Sequence, residues 1–247
     1  MTAAFFATNR AEALKRDIVE IIHARDQATP RHLQRALGPS EIAHPCMRRL
    51  AYGLMEVDKP NPSFDPLPAI IGTATHKWLE SAAMYANTQL GRQRWHTETR
   101  VNVTSWLSGS CDLYDADTAT VIDYKVPGAS RFTAYKKQMS EVYRQQVHLY
   151  GKGFRNANLS VEVVAVMLIP RGGTLSNAHL WSEPYDESIA DAIIYRRHQA
   201  AALIHDFDVE HQPDHYEWFS RSGPDCMFCP WFSPNPDSAL KCGGIDI

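Results

Sequence analysis

The stretch Gly109-Ser-Cys111-Asp112-Leu-Tyr-Asp115-Ala-Asp117-Thr118-Ala-Thr-Val121-Ile-Asp123-Tyr-Lys125 decides how the rest of the chain is read. Its second half, Val121 to Val126, has the apolar content of a buried strand yet carries two charged residues, Asp123 and Lys125. Side chains of a strand alternate between its faces, so these two point to one side and Ile122, Tyr124 and Val126 to the other. Asp115, Asp117 and Thr118 supply turn residues between this run and the one before it. A hairpin centred near Asp117 sets Asp112 roughly opposite Asp123. Two carboxylates and one ammonium then converge on one face, and burying them unpaired would be costly. The pattern points to a metal site with a lysine beside it.

Working outward, strands are expected near 97–104, 107–115 and 120–126, then at Val161–Ile169 and His179–Glu183. Residues 10–25 have helical spacing, with Leu14, Ile18, Ile21 and Ile22 on one stripe. A short helix is predicted from Pro30 to Leu37, and another runs through Cys46 to Tyr52 with Ser40 as its N-cap. The four-proline segment 57–68 reads as a loop. Further helices are expected over 73–86, carrying His76 and Glu80 one turn apart, over 134–153, and over 188–205. Beyond about Phe207 the chain turns to Pro, His, Cys and aromatics with little periodicity. The order helix, hairpin, strand, helix, strand predicts a mixed α/β domain. A single domain is expected, with a helical part at 1–60, a core at 70–205 and a cysteine-bearing part at 206–247.

The 247 residues are 44% hydrophobic and 21% charged, ordinary for a globular protein. No apolar run approaches the roughly 20 residues of a membrane span, and the apolar start Met-Thr-Ala-Ala-Phe-Phe lacks the basic lead of a secretory signal. A cytoplasmic location without membrane partners is the expectation. The net charge of −3 argues against a protein that coats nucleic acid but leaves room for a local groove. Arg48, Arg49, Arg131, Lys136, Lys137, Arg144, Lys152 and Arg155 are the candidate groove cations. No Walker-type phosphate loop is present, which excludes an ATP-driven motor of that kind.

Hydrolysis of a phosphodiester needs a hard cation to neutralise charge and acidify water, and Mg²⁺ and Mn²⁺ favour carboxylate oxygens. A neighbouring lysine can position that water. The ordered set Gly109-x-x-Asp112, Ile122-Asp123-Tyr124-Lys125 and Gln146-x-x-x-Tyr150, with His76 upstream in Gly72-Thr-Ala-Thr-His76, resembles the RecB-like branch of the PD-(D/E)xK nuclease superfamily. The resemblance implies a restriction-endonuclease-like fold and a metal set of His76, Asp112, Asp123 and the backbone carbonyl of Tyr124. It implies Lys125 as catalytic lysine and Gln146 and Tyr150 against the site, contacting substrate or bracing the lysine. It further implies a single-stranded DNA exonuclease in repair, recombination or phage and CRISPR DNA processing. An endonuclease on the same core and an inactive DNA-binding or assembly protein are the competing readings.

Five cysteines remain: Cys46, Cys111, Cys226, Cys229 and Cys242. Strand alternation turns Cys111 away from Asp112, as a packing thiol. Cys226-Met-Phe-Cys229 with Cys242, and Cys46 far upstream, offer thiolates to zinc or to an iron–sulfur cluster. One early and three late cysteines resemble the CRISPR-associated RecB-like exonucleases and the AddB nuclease domain, which implies a [4Fe–4S] cluster joining the chain ends. The interval from Cys229 to Cys242 is longer than in those proteins, and His211 and His215 leave a mixed Cys/His zinc site open.

Overall fold

A computed structural model describes residues 3–28, 37–61, 65–223 and 226–245, with side chains from residue 10 onward. The predicted helix from Pro30 to Leu37 lies almost wholly outside the described residues. Five strands form one sheet in the order β1 (Trp95–Asn102), β2 (Ser108–Asp115), β3 (Thr120–Lys125), β4 (Val163–Leu168), β5 (His179–Pro184). The first three make an antiparallel meander, β4 runs parallel to β3, and β5 closes the edge antiparallel to β4. The β3–β4 crossover carries two helices, α5 (Ala129–Lys137) and α6 (Glu141–Asn156), as a parallel connection requires. Before the sheet come α1 (Ala3–Gln27), α2 (Pro39–Ile42), α3 (Met47–Leu54) and α4 (Leu67–Leu90); α7 (Glu187–Asp206) follows it. This is the expected mixed α/β fold, a five-stranded sheet flanked by helices.

Three apolar cores hold the elements together. The sheet face under α6 packs Val101, Val121, Val164 and Val166 against Val147, Tyr150 and Phe154. The other side of α6 meets α2, α3 and α7 through Leu149, Ile42, Leu50 and Ile193. Burial on both sides explains why α6 has a run of eight buried residues broken only at Lys152; each large apolar side chain in it contributes about 1.5–3 kcal/mol. The third core joins Tyr52 of α3 to Tyr216, Phe219, Trp231 and Cys242 of the tail.

Two expectations are corrected. The helix placed over 134–153 is two helices: Gln138 takes an extended conformation, and Ser140 starts α6 afresh. The helix expected to start at Ser40 is also two. Gly38 is the N-cap of α2, its N–H donating to Glu41 Oε2 at 2.9 Å, with Pro39 in the first turn. Pro45, lacking an N–H, then separates α2 from α3. Cys46 becomes the N-cap of α3, its Sγ accepting the Arg49 N–H at 3.4 Å. The helix expected over 10–25 forms as α1, with Leu14, Ile18, Ile21 and Ile22 of its stripe exposed. No described helix is long and apolar enough to cross a membrane.

Candidate active site

Between β2 and β3 the register is Leu113–Ile122, Tyr114–Val121 and Asp115–Thr120. Carried one pair further, it sets Asp112 against Asp123, but the ladder ends at Leu113–Ile122. At that point Asp112 Oδ2 accepts the backbone N–H of Tyr124 at 2.6 Å. Its other oxygen, Oδ1, lies 3.2 Å from His76 Nδ1, which α4 brings in from the side. The Tyr124 ring stands edge-on to the imidazole, with centroids 5.8 Å apart. Burial disfavours the charged imidazole, yet the hydrogen bond to Asp112 and the charges of Asp112 and Asp123 outweigh it and hold the His76 pKa above its ordinary value.

Asp123 is fixed differently. Its side chain is 3% exposed, Oδ1 accepts from Gln146 Nε2 at 3.2 Å, and Oδ2 is in close ion-pair contact with Lys125. Gln146 Nε2 also reaches the Tyr150 hydroxyl at 3.0 Å, so the i, i+4 pair on α6 acts as one brace behind Asp123. The Lys125 ammonium sits 4.8 Å from the centroid of the Tyr143 ring, a cation–π seat. Burial pushes the Asp123 carboxyl up to about 6; Lys125 opposes that push and Asp112 adds to it.

His76, Asp112, Tyr124, Lys125 and Tyr143 line a cleft of about 790 Å³ together with Lys77, Glu80 and Glu98, and Asp123 is buried behind Lys125. Among the described residues, the ligand atoms of His76, Glu98 and Asp112 lie within 4.8 Å of one another. This donor set suits a hard divalent cation. Asp123, the third side chain of the implied metal set, stands outside this group, its buried Oδ2 against the Lys125 ammonium. The carbonyl of Tyr124, the implied backbone donor, lies in β3 between Asp123 and Lys125. Sequence reasoning missed Glu98 and Tyr143. The β1–β2 register, Thr97–Leu113 and Thr99–Cys111, brackets Glu98 opposite Asp112, so only the strand pairing could have revealed it.

The candidate groove cations divide. Arg48 is buried and donates from Nη2 to the Glu217 carbonyl at 2.6 Å, so it ties α3 to the tail and does not face a groove. Arg144 is held by Glu183 and Glu141, and Lys152 by Glu187 and Asp191. Arg131, Lys136, Lys137 and Arg155 are exposed, with Arg131 over the Phe228 ring at 5.1 Å and Lys136 over Phe132 at 5.6 Å. Arg49 lies among the cysteines.

Cys46, Cys226, Cys229 and Cys242 are all free thiols and line one small cavity of about 20 Å³ with His44, Arg49, Tyr52 and Arg221. The long interval before Cys242 is spent on an excursion and return. The Cys242 N–H donates to the Trp231 carbonyl at 2.7 Å and Ser233 donates back to Cys242, which restores it to the neighbourhood of Cys229. Four thiols gathered in this way suit zinc or an iron–sulfur cluster. His211 pairs with Asp208 and His215 with the Phe207 carbonyl; neither lines the cavity. Cys111 is fully buried in the sheet core.

No family model matches the chain, and no curated protein does. Among solved structures it is similar to an alkaline exonuclease from Laribacter hongkongensis, with TM-score 0.47 and 12% identity over 72% of this chain and 92% of that one. SSO0001 gives TM-score 0.49 and 17% identity over 87% and 94%. A phage-related exonuclease from Haemophilus somnus 129PT gives 0.42 and 15% over 62% and 77%.

Proposed function

We propose that this chain is a metal-dependent deoxyribonuclease that digests single-stranded DNA from its ends. The observation that carries the reading is the meeting of His76 and Asp112 with the braced Asp123–Lys125 pair at one open cleft. His76, Asp112 and Asp123 would hold Mg²⁺ or Mn²⁺, which supplies charge neutralisation and an acidified water. Lys125, steadied by Asp123 and Tyr143, presents its ammonium to the attacking water and to the phosphoryl oxygen that gains charge. Gln146 and Tyr150 keep Asp123 from turning, so the lysine keeps one position. The exposed Arg131, Lys136 and Lys137 on α5, the helix after Lys125, are proposed to take DNA phosphates. The four cysteines are proposed to hold a [4Fe–4S] cluster of structural role.

The test is anaerobic purification, an absorbance spectrum near 400 nm, and digestion of end-labelled linear and circular single-stranded DNA by the same sample. Linear DNA should be degraded with Mn²⁺ or Mg²⁺, spared with chelator, and spared by Lys125→Ala. Digestion of circles would replace the exonuclease reading with an endonuclease. If no DNA is cut while Asp123→Ala binds DNA as the unaltered chain does, the protein is a binding module.

A further inference from the structure

We propose that Glu98 is a ligand of the divalent cation, completing with His76 and Asp112 a three-donor seat on the cleft; the inference rests on the nuclease reading above. The three donors come from α4, β1 and β2 and are far apart in sequence, so their approach to within 4.8 Å is tertiary and not the accident of a helix turn. Asp123, by contrast, is turned to Lys125 and Gln146.

Two further observations single out Glu98. The β1–β2 pairing passes from Thr97–Leu113 to Thr99–Cys111, so the ladder is interrupted where Glu98 faces Asp112. At that point the Glu98 backbone stands at φ 46°, the left-handed region, where a residue with a Cβ is strained. A strand that needed only continuity would take an ordinary extended residue here. The second observation is charge balance. Lys125 is paired with Asp123 and Lys77 with Glu80 at 2.7 Å, and Asp112 is met on this side by His76. Two carboxylates and one imidazole form a seat for a hard dication, and the nitrogen donor suits Mn²⁺ better than Ca²⁺.

The test is Mn²⁺ titration of the whole chain without DNA, followed by calorimetry and by the loss of free-ion EPR signal, alongside thermal melting. Glu98→Gln should weaken Mn²⁺ binding at least tenfold. Glu98→Gly should do the same while melting at the same temperature or higher, because glycine accepts the positive φ. If both variants bind Mn²⁺ within twofold of the unaltered chain while Asp112→Asn loses it, the Glu98 assignment falls and the nuclease reading stands. If the unaltered chain binds no Mn²⁺, or Asp112→Asn binds as well as it does, both fall. Loss of Mn²⁺ in the Glu98 variants, with no DNA cut by the unaltered chain, keeps the ligand and removes the nuclease.

Discussion

His76, Asp112 and Asp123 hang from a long helix and two paired strands, whereas Cys226, Cys229 and Cys242 hang from a tail whose regular pieces are 3-10 turns. In the cleft each side chain is placed by a backbone ladder that exists for its own reasons, and hydrogen bonds then fix its rotamer. In the cysteine nest the backbone is placed by side chains: Tyr52 bonds the Ala239 carbonyl at 2.6 Å, Arg48 bonds Glu217, and Trp231 bonds the Val57 carbonyl at 2.9 Å. The difference teaches where a substitution will be felt. Removing a group from the cleft should cost chemistry and leave the fold; removing one from the nest should cost the fold and leave the chemistry.

The largest expected effect is Lys125→Ala. Its ammonium is tied to Asp123 of its own strand and rests over the Tyr143 ring of α6, so cleavage should fall on the order of 10²–10³-fold with a melting temperature within a few degrees of the unaltered chain. Single-turnover digestion beside a thermal melt checks both halves. A melt lowered as much as the rate would erase the contrast between the two regions.

Cys226→Ser should behave in the opposite way. Cys46 and Cys242 bracket about 200 residues, and a cross-link closing a loop of that order is worth about 3–5 kcal/mol. Denaturant midpoints should drop accordingly, while the fraction still folded at low temperature cuts DNA at the normal rate. A variant with unchanged stability and no cleavage would make the nest part of the chemistry.

The cleft was legible in the sequence because its geometry is periodic. Strand alternation puts Asp123 with Lys125, a short turn sets Asp112 nearby, and one helical turn joins Gln146 to Tyr150. The irregular features escaped for the same reason. Glu98 depends on strand pairing and on a backbone conformation that Thr-Glu-Thr does not advertise. The break at Gln138 lies inside a sequence whose composition suits a continuous helix. The stripe of α1 reports amphipathicity and not a partner, so its exposure could not be foreseen. Cys242 was recognisable only by residue type, since a β-bridge between Phe232 and Cys242 decides its position.

Gly109→Ala sharpens the comparison because it places a fold lesion inside the catalytic region. A Cβ at 109 would stand 2.8 Å from the Pro39 ring and 3.0 Å from Tyr150. One ring must move, and overpacking of this kind costs about 1–3 kcal/mol. Tyr150 braces Gln146 and hence Asp123, so the rate should fall roughly tenfold along with stability. Restoring neither by Pro39→Ala, which opens the space, would rule out this steric account.

The smallest effect tests how local the hairpin's stability is. Asp115 closes the turn end of β2, taking Arg94 Nε at 2.8 Å and Nη2 at 2.7 Å and capping Thr118. The Arg94 hydrogen bonds hold its carboxyl down to about 2 from an ordinary 3.8. A depressed carboxylate contributes stability above its unfolded pKa, and that contribution is lost as pH falls through the folded value. The shift corresponds to about 2 kcal/mol, reduced to about 1–2 by the solvent-facing side of Arg94. Asp115→Asn should therefore lower stability by about that amount at pH 7, and the gap from the unaltered chain should close between about pH 4 and pH 2. Chemical denaturation at stepped pH measures it. A gap independent of pH would mean that packing at the turn, and not this ion pair, secures the hairpin from which Asp112 and Asp123 project.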